Sequence, residues 1–465
     1  MKLQHKKQAQ CYLVSNEGRD FYLLIGFIYY LERFQNYEVS LEFVWDAQKI
    51  KTGNPDLVLL PNSRGNHFYY EIAKYCYDNE VPLFIHDSEG NFNTEIKYDF
   101  WSFNLDKKTF CPKMFTWNQR VKNYLVSKYH LPEEEVCVTG APGIDKYRYS
   151  SMNEHSGILA KYGKAHYKTV TGYAGWAFGK LQNKEIDDLL HNLNYVGDKR
   201  EEGIRWIESQ RNLVEKCLKS AIEKYPDTLF ILKKHPRENF ESDNRDSLNE
   251  MNRLTAYDNV LYLKDEENIQ DLIQISDLWM AFESTSIMEA WLLNIPTLMI
   301  NPDPDFIRSS IYKGAFLVKT QEELLAAIEQ VLILKNTAAV NPEHVVAERK
   351  RIIEDAFGFD DGLNHLRCAL YFNPYLISNP EIKKNPKLKP KFLRYYLLLH
   401  IGKLFYIPWL FKRLPKFKKT VWIFENYRLS KVKALKKSVY KDLDEFYERN
   451  NLPERIHSGE IWAEL

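Results

Sequence analysis

Short apolar runs alternate with longer amphipathic stretches along most of this chain. In the first third, residues 11–15, 39–44, 57–60, 81–86, 113–117 and 136–139 read as strands. Between them, residues 22–34, 67–78 and 119–129 place apolar side chains at helical spacing. Apolar strand runs that alternate with helices predict parallel sheets with both faces covered.

Gly140-Ala141-Pro142-Gly143 punctuates this pattern, and a polar, weakly patterned stretch follows. The alternation then resumes. Residues 168–172, 228–233, 260–263, 278–282, 297–300 and 315–319 read as strands. Residues 203–225, 269–275, 286–293, 322–334 and 343–357 read as helices. The pattern predicts an α/β domain over 1–165, a second over 166–372, and a distinct extension over 373–465.

Composition agrees with that division. A chain of 465 residues is too long for one ordinary core. With 45% apolar and 27% charged residues it reads as globular. The six cysteines show no Cys-x-x-Cys spacing, so reduced, buried thiols in a cytoplasmic protein are expected. Met1–Gln10 is polar and offers no secretory leader, and the apolar run 21–31 is too short to span a bilayer. The formal net charge of +1 hides a local excess: residues 383–437 hold seventeen Lys or Arg and a single acid, Glu425.

Candidate chemistry gathers where strands end. Lys233-Lys234-His235-Pro236-Arg237 follows an apolar strand, and an imidazole there can donate to a phosphate oxygen beside positive charge. Pro236 stiffens the turn, which reads equally as an exposed basic turn. Ser284-Thr285-Ser286 also follows a strand and opens a helix carrying Glu289. Ser286 and Glu289 have capping-box spacing, and the same helix start suits a nucleotide phosphate; Glu289 could instead bind a ribose. Residues 173–179 bring Gly175 and Gly179 after the first strand of the second domain, where backbone could approach a donor or form a loop without a ligand. Asp87-Ser88-Glu89-Gly90 closes a strand of the first domain with two carboxylates. No histidine pair has metal-site spacing, and Asp303-Pro304-Asp305 falls too late in the second half to serve as a metal motif; no metal or cofactor is expected.

Lys234-His235-Pro236 and Ser284-Thr285-Ser286, with Glu289-Ala290 and Ile295-Pro296, resemble bacterial GT-B glycosyltransferases that use cytidine-activated donors. These include sialyltransferases, Kdo transferases and CDP-glycerol polymerases. The resemblance implies two Rossmann-like domains facing a cleft, with the basic helical extension appended. It implies that Lys234, His235, Pro236, Ser284, Thr285, Ser286 and Glu289 hold the nucleotide. In the sialyltransferase branch an acidic pair followed by Gly supplies the general base. Here Glu89-Gly90 matches, but Ser88 replaces the first acid and Asp87 lies one place earlier, so both carboxylates are candidates. The implied reaction is metal-independent inverting transfer of a CMP-activated ulosonic acid to a surface glycan or lipid-linked acceptor. The same fold could use a UDP- or GDP-hexose or CDP-glycerol. A nucleotide-sugar 2-epimerase shares the fold but needs acidic and histidine residues that the sequence does not identify. A non-catalytic assembly or nucleic-acid-binding protein is the alternative of another class.

The extension interleaves its lysines with Phe392, Tyr395, Tyr396, Phe405, Tyr406, Trp409, Phe411 and Trp422. That mixture suits the anionic inner face of a membrane better than nucleic acid. A segment packed on the catalytic domains with its lysines solvated is the other reading.

Overall fold

The computed structural model describes residues 6–14, 18–63, 67–87, 110–150, 155–175, 200–234, 253–263, 267–282, 284–301, 313–376, 397 and 428–465. The chain forms two compact units: Met1–Ser150 together with Asp355–Leu465, and Ser151–Glu354. The junctions expected near residues 165 and 372 thus fall at 150 and 354. The helix His155–Lys161 explains the first difference, because its Leu159 packs with Val170 and Leu272 of the second unit. The second follows from the chain's return to the first unit. There Asn118 Nδ2 donates to Ala356 O at 2.9 Å and Ala141 N donates to Phe357 O at 2.9 Å.

In the first unit, strands β1 (Lys7–Leu13), β2 (Tyr37–Phe43), β3 (Leu57–Leu60) and β4 (Leu83–Ile85) form a parallel sheet in the order β2-β1-β3-β4. Strands β5 (Met114–Thr116) and β6 (Val136–Val138) pair in parallel, and a bridge from His86 to Phe115 joins them to β4. The helix Arg19–Phe34 is buried from Phe21 almost to its end because the core surrounds it. Phe27 stacks on Phe84 with ring centroids 4.2 Å apart. The helices Asn364–Leu376 and Leu429–Arg449 complete the same core, contributing Leu366, Phe372, Val432, Leu443 and Tyr447.

The second unit is a six-stranded parallel sheet of β7 (Thr169–Gly175), β8 (Thr228–Lys233), β9 (Val260–Leu263), β10 (Leu278–Phe282), β11 (Thr297–Ile300) and β12 (Phe316–Val318). Its order is β12-β11-β10-β7-β8-β9. Successive side chains of one strand point to opposite faces. Phe230 and Leu232 of β8 therefore join one apolar cluster, and Leu229 and Ile231 join another. Both faces are covered, which is why β8 reads as a continuous apolar run. All six cysteines of the chain are buried and unpaired. No helix among the described residues is long and apolar enough to cross a membrane.

Candidate functional site

The chain lays down β7, β8 and β9 in one direction and β10, β11 and β12 in the other, so the order reverses between β7 and β10. In a sheet of this order a crevice opens outside the carboxyl ends of the two central strands. Register places the candidate residues along that edge. Phe282 pairs with Gly175, and Lys233 pairs with Ala174. Gly175, Ser284 and Lys234 therefore end or follow three adjacent strands. Gly175 was expected in a loop, but β7 runs through it and it is the last residue of the strand. A Cβ there would lie 2.1 Å from the Tyr173 hydroxyl, two residues back on the same face, so a side chain has no room. Half-buried Lys234 is held by its backbone, whose N–H donates to Leu263 O at 2.9 Å.

The serine turn is built differently from the expected capping box. Ser286 lies inside the helix Ser286–Leu292, and Thr285 is the cap residue with helical backbone and no capping side chain. The Ser286 hydroxyl is already engaged: Trp279 Nε1 donates to it at 3.1 Å and Ser284 Oγ lies 3.0 Å away. Ser286 N donates instead to Ser284 Oγ at 3.3 Å, a local turn that satisfies one of the free amides. Trp279 reaches this position because Gly172 on β7 leaves space for its ring; a Cβ at 172 would lie 2.1 Å from it. The indole thus locks Ser284 and Ser286 in place, while Thr285 is exposed at the strand edge. Glu289 is half-buried in the first turn of the helix. Trp279 carried no signal in the sequence beyond an apolar position in a strand, since its partner is seven residues away across a turn.

In the first unit, Asp87 follows β4. Its carbonyl accepts from Trp117 Nε1 at 2.8 Å, which fixes the backbone where the strand ends. Beside it is a small open hollow lined, among the described residues, by Ser63, Ile85, Asp87, Phe110, Cys111, Met114 and Phe115. Among the described residues Asp87 is the only lining carboxylate. The preceding residue, His86, is buried, with Nε2 at 3.0 Å from Thr139 Oγ1 and Nδ1 at 3.3 Å from Asp87 O. Burial pushes its ring down to about 4, so it is neutral at physiological pH. Glu89, His235, Pro236 and Gly179 lie outside the described residues.

A second polar cluster had no sequence signal. Buried Asp145 accepts from Asn364 Nδ2 at 2.8 Å, His365 N at 3.0 Å and His365 Nδ1 at 2.8 Å. His365 Nε2 lies 2.8 Å from the Tyr447 hydroxyl. His365 and Asp145 are 0% and 1% exposed, so the chain of contacts is sealed from solvent and ties three distant stretches of the first unit together. Among the described residues no group of three or more His, Cys, Asp or Glu could hold a metal ion.

No protein-family model and no curated protein sequence matches the chain. Solved structures do. A putative UDP-N-acetylglucosamine 2-epimerase from Listeria monocytogenes superposes with a TM-score of 0.51 at 14% identity, covering 82% of this chain and 100% of that one. Another UDP-N-acetylglucosamine 2-epimerase gives 0.50 at 13% identity, again over 82% of this chain and 100% of that one. At such identities the likeness is one of fold. The chain has the α/β fold of the GT-B type, with two Rossmann-like units.

Proposed function

We propose that this protein is a nucleotide-sugar enzyme that transfers a hexosyl group from a UDP-linked donor to a glycan or lipid-linked acceptor. The observation that carries the reading is the shared strand edge in the second unit. Gly175, the Ser284–Thr285 turn and Lys234 meet where the strand order reverses, the place where such sheets take nucleotides. A uridine donor is preferred over the cytidine donor that Lys234-His235-Pro236 resembles, because the solved structures of this fold named above are UDP-sugar enzymes.

In this reading Lys234, His235 and the Thr285 hydroxyl meet the diphosphate. Gly175 and Gly179 let backbone approach it, and Glu289 faces the ribose. The acceptor oxygen attacks the anomeric carbon as the bond to the diphosphate oxygen breaks. Negative charge grows on the leaving phosphate, where fixed donors stabilise it. By the resemblance, the acceptor proton passes to Asp87 or Glu89. Among the described residues, Asp87 lines its hollow together with Ser63 and otherwise apolar side chains.

Thermal shift with UDP, GDP and CMP tests the donor. UDP should stabilise the protein most, and Thr285→Val should weaken UDP binding about tenfold, as expected for one lost bond to a charged group. A larger shift with CMP would restore the cytidine reading. No shift with any nucleotide would remove the site. Glu89→Gln and Asp87→Asn, assayed for UDP release with acceptor, should show one variant reduced about 100-fold with UDP binding unchanged. Two active variants would place the base elsewhere. The same fold serves 2-epimerases, so inversion at C2 of an intact UDP-sugar, followed by NMR, would replace transfer as the activity.

A further inference from the structure

The helix Leu429–Arg449 carries its charges in the order that least suits a helix. From Arg428 to Lys441 there are six basic residues and no acid; from Asp442 to Glu448 there are four acids and no base. Cations at a helix start and anions toward its end both oppose the macrodipole. The acidic half is compensated within the fold. Asp444 accepts from Tyr29 at 2.7 Å and from Arg33 at 3.1 Å. The basic half is compensated only in part. Of its lysines only Lys436 is turned inward, donating to Glu32 at 2.8 Å, and Lys441 reaches Glu445 at 3.8 Å on the surface.

Lys431, Lys433 and Lys437 are exposed and have no ion-pair partner among the described residues. Lys433, Lys437 and Lys441 follow at four-residue intervals, so they form one stripe of like charges, a second arrangement that destabilises a helix. The stripe lies opposite the buried positions Val432, Val439 and Leu443. Between the lysines the surface is Ser430, Ala434 and Ser438, all exposed. These residues are small and offer no aromatic ring on which a base could stack. The face is cationic, and Lys431, Lys433 and Lys437 belong to the basic run of residues 383–437.

We propose that this face is a docking surface for an anionic lipid bilayer. Lipid phosphates would supply the counter-charge that the fold withholds, relieving both the like-charge stripe and the unfavourable helix start. The absence of ring platforms argues against single-stranded nucleic acid. The proposal stands independently of the donor nucleotide.

The test uses the full-length protein and a Lys431→Gln, Lys433→Gln, Lys437→Gln variant. Each lysine near an anionic surface is worth about a fivefold factor, so the variant should bind phosphatidylglycerol-containing vesicles on the order of 100-fold more weakly. Neither protein should bind pure phosphatidylcholine vesicles. The variant's Tm should stay level or rise, because the substitutions remove charges that oppose the helix. Equal binding by the two proteins would overturn the proposal. So would tighter binding of the wild type to a single-stranded oligonucleotide than to vesicles, or a marked fall in the variant's Tm, which would make the lysines structural.

Discussion

His86 shows how a single buried ring couples the first unit to pH. Its pKa falls from about 6.5 in the unfolded chain to about 4 in the native one, through burial. Between these values the unfolded chain binds the proton and the native one does not. Stability therefore declines as pH falls from about 6.5 and the loss is complete below about 4, reaching about 3 kcal/mol from this residue. His86→Gln keeps a hydrogen-bonding side chain next to Thr139 and cannot titrate. Urea unfolding at pH 7 and pH 5 should show a smaller loss in the variant than in the wild type. Equal losses would mean that other groups set the acid sensitivity. The sequence shows only a histidine closing a strand. It cannot show that Thr139, 53 residues away, meets the ring. The serine turn has the same limit. Its polar residues at a strand end are legible, but which hydroxyl caps depends on Trp279 reaching across Gly172. Asp145, His365 and Tyr447 come together only through packing of segments 220 and 82 residues apart.

At the scale of elements, the strands were the most legible feature. Those buried on both faces, such as β3, β8, β9, β10 and β11, are unbroken apolar runs bounded by polar residues. The C-terminal helices read first as a membrane-facing extension because charges interrupt their apolar positions: Leu429–Arg449 interleaves five lysines and four acids with its buried side chains. Seven side chains of this region are buried in the first unit: Val432, Val439, Leu443, Phe446, Tyr447, Leu452 and Ile461. At about 1.5–3 kcal/mol each, they contribute on the order of 10 kcal/mol or more, comparable with the whole stability of a domain. Half-buried polar contacts add to this, with Lys436 and Tyr440 both donating to Glu32. Truncation after Leu376 should therefore abolish cooperative folding of the first unit, seen as lost near-ultraviolet circular dichroism and new binding of a hydrophobic dye. A truncated protein with the wild-type unfolding transition would show that these helices are an appendage. The extension is thus part of the fold at its end, whatever its lysines bind.

At the scale of the molecule, local composition marks a junction but cannot reveal that a chain comes back. The first unit is assembled from two stretches separated by the whole second unit, whereas Ser151–Glu354 is continuous. This asymmetry has a consequence for folding. The continuous unit has its own six-stranded sheet, and the apolar clusters on its two faces are made of its own residues. The stretch before Ser150 lacks part of its core, since Leu366, Cys368, Ala369, Phe372 and the C-terminal helices fill positions around the helix Arg19–Phe34. A fragment spanning residues 151–354 should unfold in urea with one cooperative transition. A fragment spanning residues 1–150 should show none, and adding a fragment spanning 355–465 should restore one. If the first fragment folds cooperatively alone, the C-terminal helices are dispensable to its core. If the second unit fails to fold alone, its stability depends on the rest of the chain and the division by contacts is not a division of folding.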